Sequence, residues 1–186
     1  MQYIIVGLGG QGILFTSRVL GHIAVSRGEQ VMGSEVHGMA QRGGSVISHF
    51  KVGDYSSPLV LTGGADLLLA FDQNEGIRNL HFLHPGGKAV LNIHSAGALE
   101  NPHLKRFIQE RQIESHALPG YELLREHMGG RFLFMNVLML GAMCGAKAGN
   151  VSIEEVRDAV EKLAPAKFRA DNLKAVELGY GYFAGK

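Results

Sequence analysis

Cysteine is nearly missing from this chain: one residue, Cys144, among 186. A single thiol cannot close an internal disulfide, and it cannot supply the several thiolates that an iron–sulfur cluster or a structural zinc requires. Any such centre belongs to another chain. Excess charge is missing too, since 18 Lys and Arg offset 17 Asp and Glu for a formal +1. No basic stripe with interleaved aromatics appears, so nucleic acid is not expected as a partner. Long apolar runs are also absent. The longest nearly unbroken stretch, 132–143, contains Asn136 and Gly141 and falls short of the roughly 20 residues that span a bilayer. No membrane association is expected. The chain enters the apolar run Tyr3-Ile4-Ile5-Val6 without the basic and apolar segments of a secretion signal, so a cytoplasmic location is expected.

Catalytic constellations are lacking as well. There is no H-E-x-x-H, C-x-x-C or G-x-S-x-G, and with them go the usual metal, redox and acyl-transfer signatures. His81 and His84 are three apart without an acidic third ligand nearby, and read as surface histidines. Gly53-Asp54 is followed by Tyr55, Ser56, Ser57 and Pro58, which is turn chemistry rather than the start of a thiamine diphosphate motif. Cys144 lies in an apolar stretch without a basic neighbour, as a buried inert thiol does. No residue is assigned a catalytic or metal-binding role.

What is present is an α/β pattern. Strands are expected over 3–6, 30–35, 45–52, 66–71, 88–93 and 113–117, the last the weakest signal. Helices are expected over 13–27, 73–80, 102–112, 121–127, 132–147, 152–163 and 168–179. Pro85-Gly86-Gly87 reads as a turn, and Ser152 with Glu155 as a capping box that starts a helix. The opening strand–helix–strand predicts a βαβ unit and a parallel sheet, with 45–52 breaking the simple alternation. No repeat, linker or low-complexity segment divides the chain. The expected fold is a three-layer α/β/α Rossmann-like domain over residues 1–186, with a mostly parallel sheet and a helical C-terminal region. The 132–146 stretch is apolar on nearly every face; it must be covered all round, by the chain itself or at a subunit interface.

The strongest motif is Gly7-Leu8-Gly9-Gly10-Gln11-Gly12, a G-x-G-x-x-G between a strand and a helix. Glycine permits the tight turn and the close approach of backbone to a phosphate, while the helix N-terminus offers unpaired N–H groups and partial positive charge. Gly7, Gly9, Gly10, Gln11 and Gly12 are therefore candidate phosphate-binding residues. Glu35 lies about 20 residues on, where a dinucleotide site places its ribose-binding acid. That spacing suits a free-standing NAD(P)-dependent oxidoreductase; a regulatory nucleotide-binding module fits the loop equally. After Glu35, however, comes a long polar, glycine-rich segment, His37-Gly38-Met39-Ala40-Gln41-Arg42-Gly43-Gly44, where a dinucleotide fold would turn into its next helix. Gln41, Arg42, Gly43 and Gly44 can bend sharply and offer a cation and amide donors, and two glycine turns in one small chain suggest a shared site.

These segments in order, followed by Ser57-Pro58-Leu59, Ala65-Asp66-Leu67-Leu68-Leu69-Ala70-Phe71 and Pro85-Gly86-Gly87, closely resemble the gamma subunit or domain of 2-oxoacid:ferredoxin oxidoreductases. The resemblance runs most of the chain, with little to match over 101–130. The Gly-Met-Ala-Gln-Arg-Gly-Gly segment looks most like the smaller subunit of indolepyruvate oxidoreductases. The resemblance implies an accessory subunit, not catalytic alone, of a complex that decarboxylates pyruvate, indolepyruvate or a similar 2-oxoacid to an acyl-CoA and passes electrons to ferredoxin. It further implies that thiamine diphosphate and iron–sulfur clusters are held by partner subunits, with coenzyme A as a ligand the glycine loop can hold by its phosphates.

Overall fold

The structure, a computed structural model, describes residues 1–38, 43–95 and 97–185. Among the described residues six strands form one sheet: β1 (Gln2–Leu8), β2 (Val31–His37), β3 (Ser45–Val52), β4 (Ala65–Ala70), β5 (Leu83–Asn92) and β6 (Glu114–Leu118). Their order is β2-β3-β1-β4-β5-β6. The pairs β1–β4, β4–β5 and β5–β6 are parallel, while β3 runs antiparallel to both β1 and β2. The sheet is thus mostly parallel, as expected.

The opening βαβ unit is modified. β2 follows α1 (Ile13–Ser26) and runs in the direction of β1, but β3 lies between the two strands. Only residues 38–44 separate β2 from β3, fewer than the dozen or so that a parallel crossover needs, and so short a connection returns a strand antiparallel. The return fills the place beside β1 that a simple βαβ crossover would have given to β2.

Five helices pack on one face: α1, α4 (Gly120–Met128), α5 (Met135–Gly145), α6 (Ile153–Leu163) and α7 (Arg169–Ala184). The other face carries α2 (Gln73–Asn79) and α3 (Pro102–Glu110). Alternating side chains feed the two cores. Tyr3, Ile5, Leu67 and Leu69 enter the larger; Ile4, Val6, Leu68 and Ala70 enter the smaller. A strand covered on both faces needs apolar residues at every position, which explains the unbroken run of β4.

Every residue of α5 is buried. Helices α1, α4, α6 and α7 and the sheet surround it, so the α5 part of the apolar stretch expected as helix or interface is covered by its own chain, while Phe132 and Leu133 ahead of it stay exposed. Close approach of α7 requires glycine. A Cβ on Gly141 would stand 1.9 Å from the Val176 carbonyl oxygen, and one on Gly179 would stand 1.9 Å from that of Leu138. The first turn of the expected 132–147 helix is instead a 3-10 turn over Phe132–Phe134. Pro85-Gly86-Gly87, expected as a turn, bulges within β5: Ala65 pairs with Leu83 and Leu67 with Lys88. Gly86 has φ 83° there, a backbone state that favours glycine. The capping box forms as expected, with Ser152 Oγ accepting from the Glu155 N–H and the Glu155 carboxylate from the Ser152 N–H.

Candidate functional site

In open α/β sheets, ligands sit at the carboxyl ends of parallel strands where successive connections leave in opposite directions. Here that point lies between β1 and β4, because the chain after β1 travels to the β2 edge and the chain after β4 to the β6 edge. The 7–12 loop stands there.

Each residue of the loop has a separate reason. Gln11 turns its side chain back beneath it: Oε1 accepts from the Leu8 N–H at 2.7 Å, and Nε2 donates to Tyr121 Oη at 3.0 Å and to the Phe71 carbonyl at 3.5 Å. A Cβ on Gly7 would meet that Oε1 at 2.5 Å, so Gly7 makes room for the plug. Gly9 donates its N–H to the Gly44 carbonyl at 2.9 Å. Gly10 has φ 97° and open space where a Cβ would lie. Gly12 precedes α1 with φ 83°, and a Cβ there would meet Asn136 Nδ2 at 2.5 Å. No side chain among the described residues caps α1, so the amides of its first turn have no side-chain acceptor, and the positive end of the helix dipole lies behind them.

The two glycine segments do share one place. Gly9 bonds Gly44, and Ser45, paired with Leu8 across the sheet, donates its hydroxyl to Glu75 Oε2 at 2.7 Å. Glu75 is buried on α2 and also pairs with Arg78 at 3.1 Å. The start of β3 is thereby pinned both to the glycine loop and to α2. Gln41 and Arg42 lie outside the described residues.

Glu35 does not stand where a ribose-binding acid must. It pairs with Ser48, which pairs with Ile5, so it is two strands from β1 and level with that strand's middle. At about 4.8 Å per strand the lateral offset is near 10 Å, twice that of an acid on an adjacent strand. The residue of β2 that reaches the loop is His37. It lines a cleft of about 600 Å³ with Gly9, Gly10, Gly12, Leu14 and Val46. Glu35 lines a second hollow of about 380 Å³ with Arg18, Gly33 and Phe50; Leu14 borders both.

Sequence reasoning missed the residues that support the loop from afar. Asn92, at the end of β5, donates Nδ2 to the Phe71 carbonyl at 2.9 Å and accepts from the Gly120 N–H at 2.9 Å. Tyr121 follows on α4, stacked edge-on against Phe132; burial, then the nearby Asp72 carboxylate, raise its pKa, so its hydroxyl stays protonated. Asn136 opens α5 beside Gly12. Only Asn136 falls in a stretch whose polarity was conspicuous, as an asparagine inside an apolar run. Cys144 stands apart from this site, its thiol pushed up to about 12 by burial.

A family described as pyruvate ferredoxin/flavodoxin oxidoreductase matches residues 2–182 of the chain. The chain belongs to this family. It is 34% identical to the indolepyruvate oxidoreductase subunit IorB of Archaeoglobus fulgidus, over 97% of this chain and 94% of that protein. Against IorB of Pyrococcus horikoshii the identity is also 34%, over 95% and 92% of the two. Among solved structures, a keto/oxoacid ferredoxin oxidoreductase gamma subunit from Geobacter sulfurreducens superposes with a TM-score of 0.75. That match covers 100% of this chain and 99% of that one at 24% identity, and speaks for the fold. This chain's sheet, with helices on both faces, is the α/β arrangement expected from the sequence, and the family is the one the sequence segments resemble.

Proposed function

We propose that this chain is the small, gamma-type subunit of an indolepyruvate-type 2-oxoacid:ferredoxin oxidoreductase, acting in the cytoplasm as one domain over residues 1–186. The observation that carries the reading is its end-to-end similarity to IorB subunits. In the reaction a 2-oxoacid and coenzyme A become an acyl-CoA and carbon dioxide, while two electrons pass to ferredoxin and one proton is released. Thiamine diphosphate and iron–sulfur clusters belong to partner chains in this reading. The donor set agrees, because the sole cysteine is a buried, protonated thiol, whereas cluster ligands are thiolates. Among the described residues no helix is long and apolar enough to cross a membrane.

Within that complex the 7–12 loop holds a phosphate of coenzyme A. Free amides at the start of α1, with Gly9, Gly10 and Gly12 bordering one cleft, support this role. Gln11 acts beneath the loop by fixing its shape, Gly44 braces it through the Gly9 bond, and Gly43 with Gln41 and Arg42 completes the second segment. Glu35 shapes the neighbouring hollow.

Two experiments test the reading. The chain, tagged in its native host and purified without oxygen, is expected to bring larger subunits with broad iron–sulfur absorbance, and the complex to turn over a 2-oxoacid from a panel. A lone colourless chain sinks the proposal. In the assembled complex, Gly10→Asp places a carboxylate in open space beside the amides, and the KM for coenzyme A is expected to rise about tenfold or more, a loss of roughly 1.4 kcal/mol of anion binding. Gly10→Asn carries the same backbone strain without the charge; equal effects of the two variants, or none, remove the loop from that role.

A further inference from the structure

β2 is an edge strand with little protection. It runs seven residues in unbroken register with β3 and carries no proline, lysine or bulge, devices that keep edges from pairing; its one acid, Glu35, stands 3.9 Å from His37 on the same strand. Val36 is 50% exposed and Val31 37%. At the opposite edge β6 is shorter, five residues, and starts with Glu114, which is paired to both Lys88 and His116.

The free edge has a defined hydrogen-bonding pattern. Gly38 donates to the Ser45 carbonyl at 2.7 Å and Gly53 donates to that of Gln30 at 2.8 Å. Because bonded pairs alternate along an antiparallel ladder, even-numbered residues of β2 face β3. The N–H and C=O groups of Val31, Gly33, Glu35 and His37 therefore point away from the sheet, with no partner among the described residues.

We propose that this edge pairs with the same edge of a second copy of the chain, antiparallel about a two-fold axis at Ser34, joining two sheets into one of twelve strands. The register follows from the pattern. Centring on Ser34 sets Val31 opposite His37 and Gly33 opposite Glu35 of the other copy, so all four outward-facing residues pair. Shifting the axis one residue toward the C-terminus would oppose Glu35 to itself, and like charges directly opposite are unfavourable. Shifting it one residue the other way leaves His37 without a partner. In the Ser34 register, Gly33 leaves space for the incoming Glu35 beside Arg18. Arg18 lines the same hollow and has no ion pair of its own among the described residues. On the opposite side of the strand, Met32 meets Val36 of the other copy, twice over by symmetry.

The inference concerns copies of this chain and stands whether or not the coenzyme A assignment holds. Native mass spectrometry and light scattering on the purified complex, and on the full chain alone, test it. Two copies are expected in each assembly. Met32→Lys or Val36→Glu alone should weaken the pairing of copies about tenfold or more, since each variant unbalances two symmetric cross-strand pairs. Combining the two substitutions sets the introduced ammonium of one copy opposite the introduced carboxylate of the other, at both symmetric places, and should restore the pairing. One copy per assembly in the wild type, single variants that leave the mass unchanged, or a double variant that stays dissociated overturns the proposal. Loss of a different subunit on single substitution also overturns it, and assigns the edge to that subunit.

Discussion

Gln11 and Tyr121, 110 positions apart in sequence, meet at 3.0 Å from amide to hydroxyl beneath the glycine loop. Through this contact the helix that follows β6 sets the shape of a turn at the end of β1. Two tests follow from the arrangement. Tyr121→Phe removes one acceptor from Gln11 and should cost about 1 kcal/mol of stability, read as a lowered thermal midpoint. Gln11→Ala strands the Leu8 N–H and opens a hole under the loop, and should cost about 1–3 kcal/mol. If the loop acts as proposed, both also raise the KM for coenzyme A more than they lower kcat.

The α5–α7 seam tolerates no added carbon. Gly141→Ala and Gly179→Ala each drive a Cβ into a backbone carbonyl at 1.9 Å, a contact only separation of the two helices can relieve. Each should destabilise by about 3 kcal/mol, the upper range for overpacking, and denaturant unfolding should report it. Gly181→Ala on the same helix is the control: a Cβ there meets nothing within 4 Å, and replacing glycine inside a helix should be neutral or favourable.

Acid should loosen the joint between α1 and α6. Glu155 accepts from the Arg27 guanidinium and the Ser152 N–H, and the Arg27 bond above all brings its pKa down from 4.5 to about 2. A carboxyl with a depressed folded-state pKa contributes stability that is fully present above its unfolded value and is lost as pH falls through the folded one. The contribution therefore fades between about 4.5 and 2. Both side chains are about one third exposed, so solvent screening keeps it small. Melting curves of Glu155→Gln and wild type should converge across that window and separate above it.

Nicotinamide cofactors should not bind. The acid expected on the ribose is displaced by a whole intervening strand. Titration of the full chain with NADH should leave nicotinamide fluorescence unchanged; micromolar binding would contradict the geometry described for Glu35.

Much of this protein was legible one segment at a time. The apolar run of β4, the glycines after β1, the Ser152–Glu155 box and the turn at Gly53 depend on neighbours within a few residues, and local sequence carries that information. Gly53 indeed sits at φ 121°. The place of Glu35 relative to the loop is not legible this way, for the complementary reason. A spacing of about 20 residues measures distance along the chain, and only strand order converts it into distance in space. The stretch over 132–146 is apolar on nearly every face, yet whether its own chain or a partner covers α5 depends on where α7 packs.

By itself, the sequence determined the elements, the absence of a thiolate set for clusters, and the turn chemistry of the loop. Backbone conformation, helix capping and thiol count are properties of short stretches or of composition. The tertiary structure alone decided that β3 inserts beside β1, that Gln11, Asn92 and Tyr121 converge under the loop, and that α5 needs no other chain to cover it. These are pairings between residues tens of positions apart, and they are settled by which surfaces bury one another when the two cores close.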